Sequence, residues 1–241
     1  GLENIATHIK SMINDGASII DVGAYSSRPG AKHISQKEEL ERLLPTLELI
    51  LKHFPDIIVS VDTFRSEIAK IVAEDYNVSM INDISSGDLD KKMFETIASL
   101  NIPYIIMHMK GSPQDMQLKA EYEDLMKEII NYFSDKTAEL KKLGVHDVII
   151  DPGFGFGKTL AHNYQILNNL HELNIFEVPI LVGLSRKSMI YKLLGISPEE
   201  ALNGTSVLNT ICINKGASIL RVHDVKAACE VINLTLKTIQ S

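Results

Sequence analysis

The chain repeats one pattern seven times: a short, almost continuously apolar and β-branched run with a polar residue near or shortly after its C-terminal end. The runs are Ile19-Ile20-Asp21-Val22-Gly23, Ile57-Ile58-Val59-Ser60-Val61-Asp62, Val78-Ser79-Met80-Ile81-Asn82-Asp83 and Tyr104-Ile105-Ile106-Met107-His108. Val148-Ile149-Ile150-Asp151, Ile180-Leu181-Val182-Gly183-Leu184 and Ile219-Leu220-Arg221-Val222-His223 complete the set. Apolarity on successive rather than alternate residues marks strands covered on both faces. Between the runs lie segments with helical spacing. Leu2, Ile5, Ala6, Ile9, Met12 and Ile13 share one stripe that Gly16 closes, and Tyr122, Leu125, Met126, Ile129, Ile130 and Phe133 share another. Pro45 lies inside a helical pattern over residues 36–53, which predicts a kink or break there.

Strands that alternate with helices must run parallel and be joined by crossovers. Seven of them fit an open doubly wound sheet or, with an eighth, a closed barrel. The polar ends decide. Asp21, Asp62, Asn82 with Asp83, His108, Asp151, and Arg221 with His223 lie at or near the C-terminal ends of their runs, and Lys187 follows the sixth run closely. A parallel barrel gathers every C-terminal strand end on one face, whereas an open sheet concentrates its site at one switch point. The expectation is an α/β chain folded as a (β/α)8 TIM barrel, one domain over residues 1–241. Asp83 and Asp224 are expected to cap the helices that follow them.

Composition removes several classes of function. Lys and Arg number 24 against 31 Asp and Glu, a net charge of −7, so there is no electrostatic footprint for nucleic acid. Neither an 18-residue apolar run nor a signal peptide is present, which argues against a membrane or secretory role. Cys212 and Cys229 form no Cys-x-x-Cys pair, so a disulfide framework or zinc site is not expected and a reducing cytoplasm is. The run Asp151-Pro152-Gly153-Phe154-Gly155-Phe156-Gly157-Lys158-Thr159 ends like a phosphate-cradling loop, but Pro152 stands where the first glycine is needed. Its G-x-G-x-G spacing is not a dinucleotide fingerprint either. It does allow backbone to approach a flat ligand closely. His8, His33, His53, His146, His162 and His171 fall in helical or loop segments and read as surface residues, and no Ser-His-Asp or Cys-His spacing stands out.

The strand-end residues divide by chemistry. Asp62, Asn82 and Asp151 supply acceptors and one amide, suited to the N–H-rich edge of an aminopyrimidinone. Lys187, Arg221 and His223 supply cationic donors suited to a carboxylate, phosphate or diphosphate, and Arg28 in the Ser26-Ser27-Arg28-Pro29-Gly30 loop adds to them. A flat heterocycle joined to an anionic group satisfies both sets.

These residues resemble the dihydropteroate synthase family. The resemblance runs through Ile20-Asp21-Val22-Gly23 with Ser26–Gly30, Ser60-Val61-Asp62-Thr63, Ile81-Asn82-Asp83-Ile84-Ser85 and Met107-His108-Met109-Lys110-Gly111. It continues through Asp151–Lys158, Ser185-Arg186-Lys187-Ser188 and Arg221-Val222-His223-Asp224, in the family's order along nearly the whole chain. It implies condensation of 4-aminobenzoate with 6-hydroxymethyl-7,8-dihydropterin diphosphate, giving dihydropteroate and pyrophosphate with Mg²⁺, by a cytoplasmic homodimer that sulfonamides inhibit. It implies a pterin pocket at Asp62, Asn82, Met107, Asp151 and Lys187, with Asp62, Asp151 and Lys187 catalytic. Arg221 and His223 would hold the diphosphate, and Arg28, Pro29, Phe156, Lys187 and Ser188 the aminobenzoate. The family's first strand, with a loop carrying an Asn-x-Thr-Pro-Asp-Ser-Phe pattern and the metal-ligating asparagine, has no counterpart in these residues. It is expected to precede Gly1, so no metal ligand is assigned within the chain. A corrinoid-dependent methyltetrahydrofolate methyltransferase shares the barrel and the Asp/Asn/Asp pocket but has no diphosphate for Arg221 and His223 to hold. A non-catalytic pterin-binding module is the other alternative.

Overall fold

The structure, a computed structural model, describes residues 1–26 and 32–240. Their elements follow the order α1 (Leu2–Asn14), β1 (Ile19–Gly23), α2 (Gln36–His53), β2 (Ile58–Asp62), α3 (Ser66–Tyr76), β3 (Met80–Asp83), α4 (Met93–Leu100) and β4 (Tyr104–Met107). Next come α5 (Leu125–Lys142), β5 (Val148–Asp151), α6 (Leu160–Asn169), β6 (Ile180–Val182), α7 (Ser188–Leu194), α8 (Leu202–Asn214), β7 (Ala217–Leu220) and α9 (Val225–Ile239). The chain divides into two compact units. One holds Gly1–Met107, Ser112–Gln114 and Asp135–Val148; the other holds His108–Gly111, Asp115–Ser134 and Ile149–Ser241.

In the first unit β1 pairs parallel with β2, β2 with β3, and β3 with β4. Every residue of β3 and β4 is buried, as expected of strands without a polar face. Helices α3 and α4 turn Ile68, Ala69, Val72, Phe94 and Ile97 inward, all nearly or fully excluded from solvent. Each of these helices stops at a left-handed Asn, Asn77 (φ 52°) or Asn101 (φ 51°), which turns the chain into the next strand. Helix α1 ends as its pattern predicts: Gly16 takes φ 104°, and Ala17 N–H closes on the Met12 carbonyl at 2.9 Å.

Pro45 does not break α2, which runs unbroken through it. The carbonyl deprived of its partner is that of Glu41, on the exposed side of the helix, where water can serve it. The opposite face carries Leu43, Leu47 and Ile50 into the core, and a Ser35–Glu38 capping box starts the helix. Packing and capping outweigh one lost bond.

In the second unit β5, β6 and β7 pair parallel in chain order. The last run begins and ends earlier than its apolar pattern suggests. Gly216 at φ 103° turns the chain out of α8 so sharply that Ala217 already pairs with Ile180, and the strand ends at Leu220. Arg221 still donates its N–H to the Val182 carbonyl (2.9 Å), while His223 lies in the loop beyond.

Candidate active site

In the first unit, strand register brings three polar ends together. Asp62 sits beside Gly23 on one neighbour and Asn82 on the other. Asn82 Nδ2 donates to Asp21 Oδ2 at 3.4 Å. A Cβ at position 23 would come within 3.1 Å of the Asp62 Cβ, so glycine makes room for that carboxylate. Asn82 and Met107 are buried and Asp62 is half-buried. Ser86 Oγ donates to the Met107 carbonyl at 2.9 Å, which fixes the end of β4.

Asp83 is not a helix cap. Side chains alternate along a strand, so it faces away from Asn82. Fully buried, it accepts from Ser85 N–H (2.7 Å), Ser85 Oγ–H (2.8 Å), Gly87 N–H (2.8 Å) and Tyr104 O–H (2.6 Å). Burial raises its pKa, and the Tyr104 hydroxyl is the foremost of the bonds that oppose the rise. Its work is to shape the turn after β3. A second buried network has no signature in the local sequence. Glu39 on α2 accepts from Thr63 Oγ1 and Arg65 Nη1, both at 2.8 Å, and Arg65 Nη2 donates to the Ile34 carbonyl at 2.6 Å. Burial raises the Glu39 pKa, while Thr63 and then Arg65 hold it down. The network locks the segment that leaves Asp62.

The second unit assembles the cations around Asp151. Gly153 N–H donates to Asp151 Oδ1 at 2.7 Å, and the carboxylate is buried. Burial raises its pKa, opposed first by Lys187 and further by Lys158 and Arg221. Lys187 donates to the Phe154 carbonyl and holds its ammonium 4.9 Å from the Phe156 ring centroid. Burial lowers its pKa to about 8, with Asp151 pulling it up and Arg221 pushing it down. Ser188 follows as the first residue of α7. Ser185 Oγ accepts the His223 N–H at 3.2 Å and lies 3.3 Å from His223 Nδ1. Arg221 and His223 are both exposed. Arg28 and Pro29 lie outside the described residues.

Two residues of this unit escape a sequence reading in these roles. Lys158, only 4% exposed, donates to the His108 carbonyl (3.1 Å) and the Phe156 carbonyl (2.9 Å), and its Nζ lies 3.1 Å from His108 Nδ1. The amine is thereby held from three sides. Burial lowers its pKa to about 7 while Asp151 opposes the fall. A glycine-rich loop ending in lysine gives no sign that the lysine turns inward. Asp224, expected as the cap of α9, makes no capping bond and is engaged by Arg186 instead.

His108 provides a test of this interior. Burial first, and then Lys158, lower its pKa from 6.5 to about 2. Below pH 6.5 the unfolded chain therefore binds a proton that the folded chain refuses, so stability falls as the pH falls. Between pH 6.5 and 5 the loss from this group is roughly 2 kcal/mol. His108→Asn keeps an acceptor for Lys158 and cannot titrate. Urea unfolding at pH 7 and pH 5 should show the wild type losing about 2 kcal/mol more than the variant over that interval; parallel losses would contradict a neutral buried His108.

Parallel strands joined by helices, with polar residues at their C-terminal ends, are the arrangement of α/β-barrel enzymes. The family profile described as pterin binding enzyme matches residues 1–223. The chain is 41% identical over 236 residues to a dihydropteroate synthase of Escherichia coli K12, covering 97% of this chain and 83% of that protein. A crystal structure of Yersinia pestis dihydropteroate synthase in a sulfonamide drug complex superposes with a TM-score of 0.95 at 39% identity, covering 100% of this chain and 87% of that one. The Xanthomonas albilineans dihydropteroate synthase with 4-aminobenzoic acid superposes with a TM-score of 0.91 at 32% identity, over 100% and 85%. The chain belongs to the dihydropteroate synthases, TIM-barrel transferases of folate biosynthesis within the pterin binding enzyme family.

Proposed function

We propose that the strand-end residues divide the two substrates between them. Asp62 and Asn82, with Met107, Asp151 and Lys187, serve the dihydropterin; Arg221 and His223 serve its diphosphate; Phe156, Lys187 and Ser188, with Arg28 and Pro29, serve the aminobenzoate. The observation that carries this reading is the pairing of opposite chemistries. Register aligns carboxylate and amide acceptors at the ends of β2 and β3, while Lys187, Arg221 and His223 supply donors beyond β6 and β7.

The reaction then follows from charge. The bond between the exocyclic methylene and the diphosphate oxygen breaks, and its electron pair leaves with pyrophosphate. The positive charge spreads into the dihydropterin, where Asp62 and Asp151 stabilise it. Arg221 and the His223 ring stabilise the negative charge on the departing group. The aromatic amine forms the C–N bond with its own lone pair and loses a proton to solvent or pyrophosphate, so no strong base is required. Mg²⁺ enters this proposal as an ion carried mainly by the diphosphate. Among the described residues no three His, Cys, Asp or Glu side chains could cage it, and Mg²⁺ commonly takes only one or two protein carboxylates alongside substrate phosphates.

A homodimer also belongs to the proposal. Helices α8 and α9 pack together and expose Val207, Leu234, Leu236 and Ile239, apolar side chains some of which a second copy would cover. No helix among the described residues is long and apolar enough to cross a membrane. Cys212 is a buried free thiol, which suits a cytoplasmic location.

Pyrophosphate release from the dihydropterin diphosphate ester, followed with Mg²⁺, is expected to require 4-aminobenzoate and to stop with a sulfonamide. Tight binding of the ester without release would leave a pterin-binding module. No binding at all would overturn the residue assignments.

A further inference from the structure

Arg186 stands between Ser185 and Lys187, where a third cation next to a diphosphate would be read as another phosphate ligand. Its guanidinium is already committed. Nε donates to Asp224 Oδ2 at 2.8 Å and Nη2 to Asp224 Oδ1 at 2.9 Å, a two-bond fork. Nη1 donates to the Pro198 carbonyl at 3.0 Å and to the Glu199 carbonyl. The backbone is held as firmly: Arg186 N–H donates to Thr205 Oγ1 at 3.0 Å, and Thr205 Oγ1–H donates to the Ala201 carbonyl at 2.8 Å. These bonds maintain a left-handed conformation, φ 51°, which a non-glycine residue adopts only when its surroundings enforce it.

The fork joins the loop after β6 to the loop after β7. Alongside it runs the Ser185–His223 pair, one residue earlier on each segment. Two adjacent ties therefore connect residues 185–186 with residues 223–224, His223 itself being part of one, with Lys187 and Arg221 close by in sequence. The Arg186 pKa is raised and the Asp224 pKa lowered, in each case first by the hydrogen bonds they share, so both stay charged through the neutral range.

We propose that Arg186 is a positioning residue for the diphosphate site: its fork to Asp224 sets the segment bearing Lys187 against the segment bearing Arg221 and His223, and it takes no part in holding phosphate itself. This rests on the assignment of Arg221 and His223 to the diphosphate. Lysine cannot reproduce it fully, because an ammonium cannot offer two parallel donors in a fixed plane.

The test is calorimetric binding of inorganic pyrophosphate and, separately, of 6-hydroxymethylpterin to the wild type, Arg186→Met, Arg186→Lys, Asp224→Asn and Arg221→Met. Arg186→Met and Asp224→Asn are expected to weaken pyrophosphate binding by about ten-fold or more, the loss typical of removing an orienting partner. Arg186→Lys should fall between wild type and Arg186→Met, and in all three any loss of pterin affinity, transmitted through Lys187, should be several-fold smaller than the loss of pyrophosphate affinity. Asp224→Asn keeps the side chain's size and carries the test if Arg186→Met fails to fold. Wild-type pyrophosphate affinity in Arg186→Met or Asp224→Asn overturns the inference, as does an equal loss of pterin affinity, which would mark a general structural role. Pyrophosphate binding that survives Arg221→Met, or is missing in the wild type, shows instead that the diphosphate assignment is at fault.

Discussion

Asp62→Asn is expected to lower kcat by roughly two to three orders of magnitude while changing dihydropterin affinity only slightly, the loss of about 3–4 kcal/mol that follows when one aimed charge is withdrawn from a transition state. Asparagine fills nearly the same volume and keeps one carbonyl oxygen, so the contacts that hold the neutral heterocycle persist. What disappears is the negative charge, and that charge matters most when the leaving pyrophosphate makes the dihydropterin positive. Gly23, whose missing Cβ leaves space beside Asp62, and Asn82, its neighbour on β3, should keep the substituted side chain in place. Single-turnover kinetics together with calorimetric pterin binding separate the two effects. Equal losses in kcat and affinity would show that Asp62 acts in ground-state binding and has no special role in the transition state.

Gly153→Ala is the second large effect, on stability and activity together. The residue has φ 71°, and an added Cβ would overlap the His108 carbonyl oxygen and come within 3.2 Å of Lys158 Nζ. Relief requires moving the loop that Lys158 ties down, so the cost should reach about 3 kcal/mol or more, against about 1 kcal/mol for a left-handed alanine with free space. Gly144→Ala is the control: its φ is 83° and nothing lies within 4 Å of an added Cβ. In thermal melts Gly153→Ala should fall roughly 6–12 °C and Gly144→Ala roughly 2–4 °C. The first should also lose most of its activity, because the Gly153 N–H holds the Asp151 carboxylate and Phe154 and Phe156 flank Lys187. Equal melting shifts would mean that the His108 carbonyl gives way easily.

Other contacts set limits on what such variants can reveal. Asp151 lies among Lys158, Lys187 and Arg221, so replacing any one of them shifts the charge felt by the rest. Effects at these four positions should not add, and double-variant cycles are the way to apportion them.

Patterns within a few neighbouring residues were enough for much of this molecule. Continuous apolar runs set the seven strands, because a strand covered on both faces has no polar alternation to blur it. The polar residue closing each run marked Asp62, Asn82 and Asp151, since a strand's last residue is where a parallel fold meets its ligand. Other features depend on partners dozens of residues away. Whether α2 survives Pro45 depends on which carbonyl loses its bond and on the core under Leu43, Leu47 and Ile50. Asp83 and Asp224 look alike in sequence, yet one closes a buried turn with Tyr104 and the other forks with Arg186, 38 positions away. Lys158 reads as a loop lysine until the carbonyls of His108 and Phe156 and the His108 ring converge on it. Period and composition report the cost of placing a residue on a face of a strand or helix. They carry no record of which distant donor meets which buried acceptor, and that choice, made only when the chain closes on itself, decides which charged residues bind substrate and which hold the binders in place.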